Sequence, residues 1–157
     1  MGTRGQEQDE ALVTSDWDAF VQALARCLQE LPSRATLVIT AAGNRYVQFQ
    51  QFDIKLSAEL TGNYYLAEPI PEAAAQRLRE LGWSAPVVRH EIENWRRSLL
   101  WPIPPSRLME LARSAAIGLH DALGIVSPNE LRATGWTEAS GDLDLSPLGA
   151  IARRGLG

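Results

Sequence analysis

The sequence predicts an α+β domain in which an antiparallel sheet packs against helices, in the order α-β-β-β-α-β-α. A helical apolar period near the N-terminus gives way to three short segments with period two, and helical periods return twice further along. A run of hairpin-connected strands with helices before and after it is typical of α+β folds. We therefore expect one core, which agrees with a length of 157 residues.

The first element is an amphipathic helix that begins at Ser15, where "SDWD" matches a capping box. Pro32 ends the segment. Its apolar residues recur at steps of three and four along one face: Trp17, Phe20, Val21, Leu24, Leu28 and Leu31. Residues 1–13 are polar and aperiodic, which predicts a disordered N-terminal tail before a single domain over residues 14–135.

Three β-rich segments follow, "ATLVIT", "RYVQFQ" and "IKLSAEL", with turn chemistry at Gly43-Asn44. The third segment alternates between an apolar face (Ile54, Leu56, Ala58, Leu60) and a polar face (Lys55, Ser57, Glu59), so one side of the meander is expected to be open. With residues 50–53 as a loop, the predicted pairs are Phe49 with Ile54, Val47 with Leu56, Tyr46 with Ser57, and Gln48 with Lys55.

The second half of the chain predicts two more helices and a strand. Pro71 suits the first turn of a helix that ends at Gly82, where Trp83 folds back on Leu78. "APVVRHEI" is predicted as the fourth strand, and three prolines in "ENWRRSLLWPIPP" argue against regular structure there. A third helix covers residues 105–123 and stops at Gly124. A turn or strand over residues 131–136 and a flexible tail over residues 136–157 complete the chain.

The formal net charge of -4 and a pI of about 5.2 argue against nucleic acid or an anionic membrane as partners. Cys27 is the only cysteine, which rules out an internal disulfide and predicts a reducing, cytoplasmic setting. No apolar run reaches the roughly 18 residues that a membrane span requires.

Motifs for catalysis or cofactor binding are missing from the sequence, so we expect no cofactor, no metal and no catalytic residue. There is no G-x-S-x-G, no S-x-x-K and no phosphate loop. Cys27 lies on the apolar helix face. His90 and His120 are the only histidines, so one chain cannot form a three-histidine metal site. Adjacent helical residues such as His120 and Asp121 do not face each other, which argues against a catalytic His-Asp pair. An enzyme using converging carboxylates remains a weaker alternative, with Glu59, Glu68, Glu91 and Glu93 as candidates.

Trp95 and Trp101 lie in the proline- and arginine-bearing segment, where two interpretations stay open. They anchor this connection to the core, or they form part of a partner surface, since Trp and Arg are enriched at binding hot spots.

Four stretches together resemble the bacterial TY-Chap domains, which are grouped with YbjN proteins and type III secretion chaperones of the CesT kind: "SDWDAFVQALARCLQEL", "RYVQFQQFDIKLSAELTGNYYL", "ELGWSAP" and "LHDALGIVSPNEL". The resemblance implies a bent antiparallel sheet on helices, a role in binding peptides or partly unfolded proteins, and frequent homodimers. It brings no catalytic residues with it.

The sequence and the resemblance together favour a non-enzymatic chaperone or adaptor that holds an unidentified protein or peptide client on its sheet face or edge. The candidate binding residues are Tyr46, Gln48, Ser57, Glu59, Asn63, Tyr65, Trp95 and Trp101. The alternative is a self-associating module, a homodimer formed through the small residues of the third helix: Ala112, Ala115, Ala116 and Gly118. A purely intramolecular packing role explains the same small residues at least as well.

Overall fold

The computed structural model describes residues 2–87, 93–138 and 141–149, with residues 2–15 described by their backbone alone. The elements are helix α1 (Gly2–Gln29), strands β1 (Ala35–Ala41), β2 (Arg45–Gln51) and β3 (Lys55–Leu60), helix α2 (Glu72–Glu80), strand β4 (Trp95–Leu100), helix α3 (Pro105–Ile117), and strands β5 (Arg132–Thr137) and β6 (Gly141–Asp142). The predicted α+β class and element order are confirmed.

The strands form one open antiparallel sheet in the order β4-β3-β2-β1-β5-β6. Its inner face contributes fully buried side chains to the core: Leu37, Ile39, Val47, Phe49, Leu56 and Leu60. Helices α1 and α3 pack on each other and share this core with α2. Alternate strand residues point to the opposite face, which we call the outer face, and no described helix covers it.

The predicted register of the β2–β3 hairpin is wrong by four residues. Phe49 lies opposite Ala58 and Val47 opposite Leu60. The reason is a tighter turn: β2 runs on to Gln51, and the amide of Phe52 donates to the carbonyl of Lys55 at 2.8 Å. Because the error is an even number, every strand residue keeps its predicted face. Ile54 is the exception, since it lies in the turn and is exposed rather than buried.

The fourth strand lies later in the chain than predicted. Residues 88–92 of the expected strand "APVVRHEI" fall outside the described residues. Instead, Trp95–Leu100 pairs with β3 along its whole length, although the sequence predicted irregular structure there. The prolines that suggested this prediction all follow Leu100, so they end the strand without interrupting it.

Both termini differ from the prediction. The helix α1 begins at Gly2, so the backbone is already helical at Ser15 and the capping box does not start it. No proline precedes Ser15 to stop the helix. In the predicted C-terminal tail, Leu145 and Leu148 are buried beside α1, so residues 141–149 pack on the domain. The other domain boundaries stay a prediction.

The predicted stop of α2 at Gly82 is confirmed, and Gly124 follows the π-helical segment that extends α3. Gly82 and Gly124 have φ values of +97° and +71°, a backbone conformation that favours glycine. The amide of Trp83 donates to the carbonyl of Leu78 at 3.0 Å, as expected for a Schellman turn. Helix α3 differs in one respect, because it ends at Ile117 and continues as a π-helix over Gly118–Ala122.

Candidate functional site

The outer face brings together four of the eight predicted site residues. Tyr46 and Gln48 lie on β2, and Ser57 and Glu59 lie on β3. Gln48 is directly opposite Glu59, as the register pairs show. Cross-strand neighbours of this kind lie about 5 Å apart, so these side chains form a continuous surface.

Two rows of side chains cross the outer face from β4 to β5. The pairs of the sheet place Arg96, Glu59, Gln48, Val38 and Thr134 in one row, and Ser98, Ser57, Gln50, Thr36 and Trp136 in the next. The hydroxyl oxygens of Ser57 and Ser98 are 3.0 Å apart. Trp136 contributes a large apolar side chain to this surface and is 47% exposed.

Glu59 and Arg96 are opposite each other on adjacent strands. Within the described part of the chain, neither carries an ion pair within 4.0 Å. The doublet Arg96-Arg97 is split between the two faces, since Arg97 points inward. Glu59 therefore lies on an open polar surface whose side chains can still donate and accept hydrogen bonds.

A hydrogen-bonded corner joins the outer face to the segment after β3. The side-chain amide of Asn94 donates to the hydroxyl of Tyr46 at 2.8 Å, and its oxygen accepts from the amide of Gly62 at 3.0 Å. Asn63 has a structural role here, because its side-chain oxygen accepts from the amide of Ile70 at 2.7 Å. Sequence analysis did not single out Asn94, whose role depends on the position of β4.

Tyr65 and Glu93 are adjacent at this corner. The Tyr65 hydroxyl donates to a carboxylate oxygen of Glu93, and this hydrogen bond raises the pKa of Tyr65 to about 12. The tyrosine is thus a neutral donor over the whole physiological range. Tyr64 packs edge-on against Tyr65, with ring centroids 5.0 Å apart.

The two tryptophan candidates lie away from the outer face. Trp95 is 4% exposed and points inward from β4. Trp101 is half-buried against the core, and its indole nitrogen donates to the side-chain oxygen of Gln51 at 2.5 Å. Of the two interpretations left open by the sequence, the structure supports anchoring to the core.

The structure gives the remaining polar candidates separate places. Glu59 lies on the outer face, while Glu68 and Glu93 line two different depressions. Glu91 and His90 fall outside the described residues. Burial raises the pKa of the Cys27 thiol to about 11, so it is a protonated core residue. No group of three or more metal-binding side chains occurs among the residues that the structure describes.

The expectation that His120 and Asp121 point apart is wrong. His120 Nδ1 and Asp121 Oδ1 are 2.6 Å apart, within the π-helical segment that replaces the end of the predicted α-helix. Both side chains are partly exposed, beside a groove formed with Trp17 and Val21. The lining of this groove includes no serine, threonine or cysteine that the pair would activate.

The comparison with known families agrees with this architecture. A family model described as "T3SS (YopN, CesT) and YbjN peptide-binding chaperone 3" matches residues 10–137, from α1 to the last residue of β5. The chain belongs to the TY-Chap3 family. No significant match was found among curated proteins or among solved structures.

The TY-Chap3 match thus covers every strand of the sheet except β6. Among the described helices of this TY-Chap3 chain, none is long and apolar enough to cross a membrane.

Proposed function

We propose that this TY-Chap3 chain is a non-enzymatic chaperone or adaptor that holds an extended or partly unfolded protein segment on the outer face of its sheet. One observation supports this most strongly: the outer face presents polar and aromatic side chains across five strands, and no described helix lies on it. The family's peptide-binding description supports the same role.

The surface that we assign to the client is centred on Gln48 and Glu59. An extended segment crossing it meets hydrogen-bonding groups from Tyr46, Gln48, Ser57 and Glu59, and apolar area from Trp136. Backbone groups of a client need such donors and acceptors, since they lose water on binding. This role requires no catalytic group. We place the protein in the cytoplasm because its single cysteine cannot form an internal disulfide.

Self-association through the small residues of α3 is not available in this fold. Ala112, Ala115, Ala116 and Gly118 are all buried within the protomer. A Cβ at Gly118 would lie 2.8 Å from Leu60, which shows how closely this helix approaches the sheet. Any homodimer therefore uses another surface, and its existence stays a prediction.

The experiment measures binding of the full chain to a fluorescently labelled protein that reduction and carboxymethylation keep unfolded. Gln48→Arg places a longer charged side chain in the middle of the outer face, and we expect it to weaken binding about five-fold or more. Gln76→Arg is the matched control on the exposed side of α2.

Two results would count against the proposal. Absence of binding by the wild-type chain would remove the chaperone role. Equal binding by wild type, Gln48→Arg and Gln76→Arg would remove the outer face as the client surface.

A further inference from the structure

A depression of about 390 Å³ opens between α2 and the segments that flank β4, away from the outer face. Its base is apolar and is formed by Ile70, Ala75, Pro86 and Trp95. Ile70, Ala75 and Trp95 are buried, so the base is a packed surface. Concave sites of roughly 300–1,000 Å³ with an apolar lining and a few polar groups are the usual form of ligand pockets.

Among the residues that the structure describes, three charged side chains line this pocket, Glu72, Arg79 and Glu93, and the first two neutralise each other. Arg79 donates to a carboxylate oxygen of Glu72 at 3.2 Å. Its guanidinium also lies over the Trp95 ring, 5.6 Å from the centroid. The Trp95 ring at the base of the pocket therefore already has a cation, the Arg79 guanidinium, packed against it.

Glu93 is the third rim charge. Its carboxylate accepts from the Tyr65 hydroxyl, which is neutral, and it forms no ion pair with any residue that the structure describes. The hydrogen bond fixes the position of the carboxylate without neutralising it. Within the described part of its lining, the pocket thus combines an apolar base with a fixed negative charge at its rim.

We propose that this pocket holds a bulky apolar side chain of a client segment and that Glu93 binds an arginine or lysine next to that side chain. The inference rests on the proposed peptide-binding function and adds the chemical class of the client. A basic ligand also suits the formal net charge of -4 on the chain.

Tyr64 supports a peptide as the occupant. Its ring lines the pocket but is 75% exposed, packed only edge-on against Tyr65. An exposed aromatic ring at a pocket rim gains most from a ligand that continues beyond the pocket, as a chain segment does. A free amine that fits within the pocket would leave this ring uncovered.

The test uses labelled Gly-Ser peptides that carry a single Phe-Arg pair, and matched peptides with Phe-Glu, Phe-Gln or Gly-Arg at the same place. We expect the full chain to bind the Phe-Arg peptide at least about five-fold more tightly than any of the other three. Glu93→Gln keeps an acceptor for Tyr65 but removes the charge, so it should abolish the preference for Phe-Arg over Phe-Gln. Glu80→Gln, at an exposed position of α2 that does not line the pocket, should leave that preference unchanged.

A second variant tests the apolar base. Ala85→Leu adds side-chain volume at the pocket wall without altering any charge, and we expect it to weaken binding of Phe-Arg and Phe-Gln peptides alike. Circular dichroism and urea unfolding check that the variants fold as the wild type does.

The possible failures are distinguishable. If the carboxymethylated protein binds but the peptides show no Phe-Arg preference, or Glu93→Gln retains it, the pocket assignment is overturned and the proposed function stands. If neither probe binds, both fail. If phenethylamine binds as tightly as the Phe-Arg peptide, a peptide is not the occupant of the pocket. The same conclusion follows if light scattering shows a dimer of this chain and the Glu93→Gln substitution dissociates it.

Discussion

The guanidinium of Arg97 donates two hydrogen bonds to the two carboxylate oxygens of Glu110, each 2.5 Å long, and so joins β4 to α3. A third bond reaches the Ser114 hydroxyl at 3.1 Å. The Arg97 side chain is 7% exposed and that of Glu110 is 43% exposed. The pair holds the edge strand of the sheet against the helix that covers its inner face.

Replacing Glu110 by Gln should destabilise the fold by about 1–2 kcal/mol, because the buried guanidinium of Arg97 loses its counter-charge while Glu110 itself is partly screened by water. Urea unfolding measures this as a lower midpoint with an unchanged slope. Glu72→Gln is the matched control, since its ion pair with Arg79 is mostly exposed, and it should change stability by less than about 0.5 kcal/mol. Equal effects of the two variants would contradict this role for the Arg97 pair.

The same ion pair makes stability depend on pH. The hydrogen bond from Arg97 lowers the pKa of Glu110 below its ordinary value of 4.5. A depressed carboxyl pKa stabilises the folded state fully above the unfolded-state value, and this contribution is lost as the pH falls through the folded-state value. Urea midpoints measured from pH 6 down to pH 3 should therefore converge for wild type and Glu110→Gln. A constant difference between them over this range would refute the linkage.

Gly62→Ala should be strongly destabilising, by about 3 kcal/mol or more. A Cβ there would lie 2.0 Å from the carbonyl oxygen of Glu93, which is backbone and has no side-chain freedom to move away. The φ of Gly62 is -96°, so backbone strain does not add to this cost. Gly43→Ala is the comparison, because it has open space but a φ of +82°. Thermal unfolding should place Gly62→Ala below Gly43→Ala, and the reverse order would argue against a tight contact with Glu93.

Trp101→Phe should cost about 1–2 kcal/mol and leave client binding unchanged. The indole nitrogen of Trp101 satisfies the buried side-chain oxygen of Gln51, and phenylalanine leaves that oxygen without its donor. Combining the change with Gln51→Leu should recover part of the loss, which a double-mutant cycle measures. Weaker binding of the carboxymethylated protein by a folded Trp101→Phe chain would instead return Trp101 to the client surface.

The period-two patterns of β1 to β3 predicted the faces of the sheet correctly, and with them the polar surface around Gln48 and Glu59. Their register was not predictable to the same degree, because the side-chain alternation is unchanged by any even shift. The difference lay in a turn of a few residues, where Phe52 bonds back to Lys55. The hydrophobic pattern therefore predicts which side chains share a face of the sheet. The geometry of the turn determines which residues are cross-strand neighbours.

Strand β4 shows why the pocket was not predictable. Its inner face includes Arg97, a residue type that sequence patterns assign to the surface, and the ion pair with Glu110 and the hydrogen bond to Ser114 compensate that burial. Without β4 in place, the sequence gives no reason for Glu93 and Tyr65 to be adjacent. The burial of Arg97 and the pairing of Glu93 with Tyr65 both depend on contacts between segments that are distant along the chain. Local periodicity in the sequence does not predict such contacts.

The isolated bridge between Ser84 and Arg96 has a consequence for solubility. The Ser84 amide donates to the Arg96 carbonyl at 2.8 Å, and the Arg96 amide returns a bond of 3.0 Å. Of the three β4 residues whose backbone groups point away from β3 (Arg96, Ser98 and Leu100), Arg96 is therefore already paired. Among the described residues, the stretch around Ser98 and Leu100 has no backbone partner on this edge and is a template for a foreign strand, and Leu100 is 70% exposed. This short bridge therefore limits edge-to-edge aggregation, and its removal would lengthen the unpaired edge at which fibrils can begin.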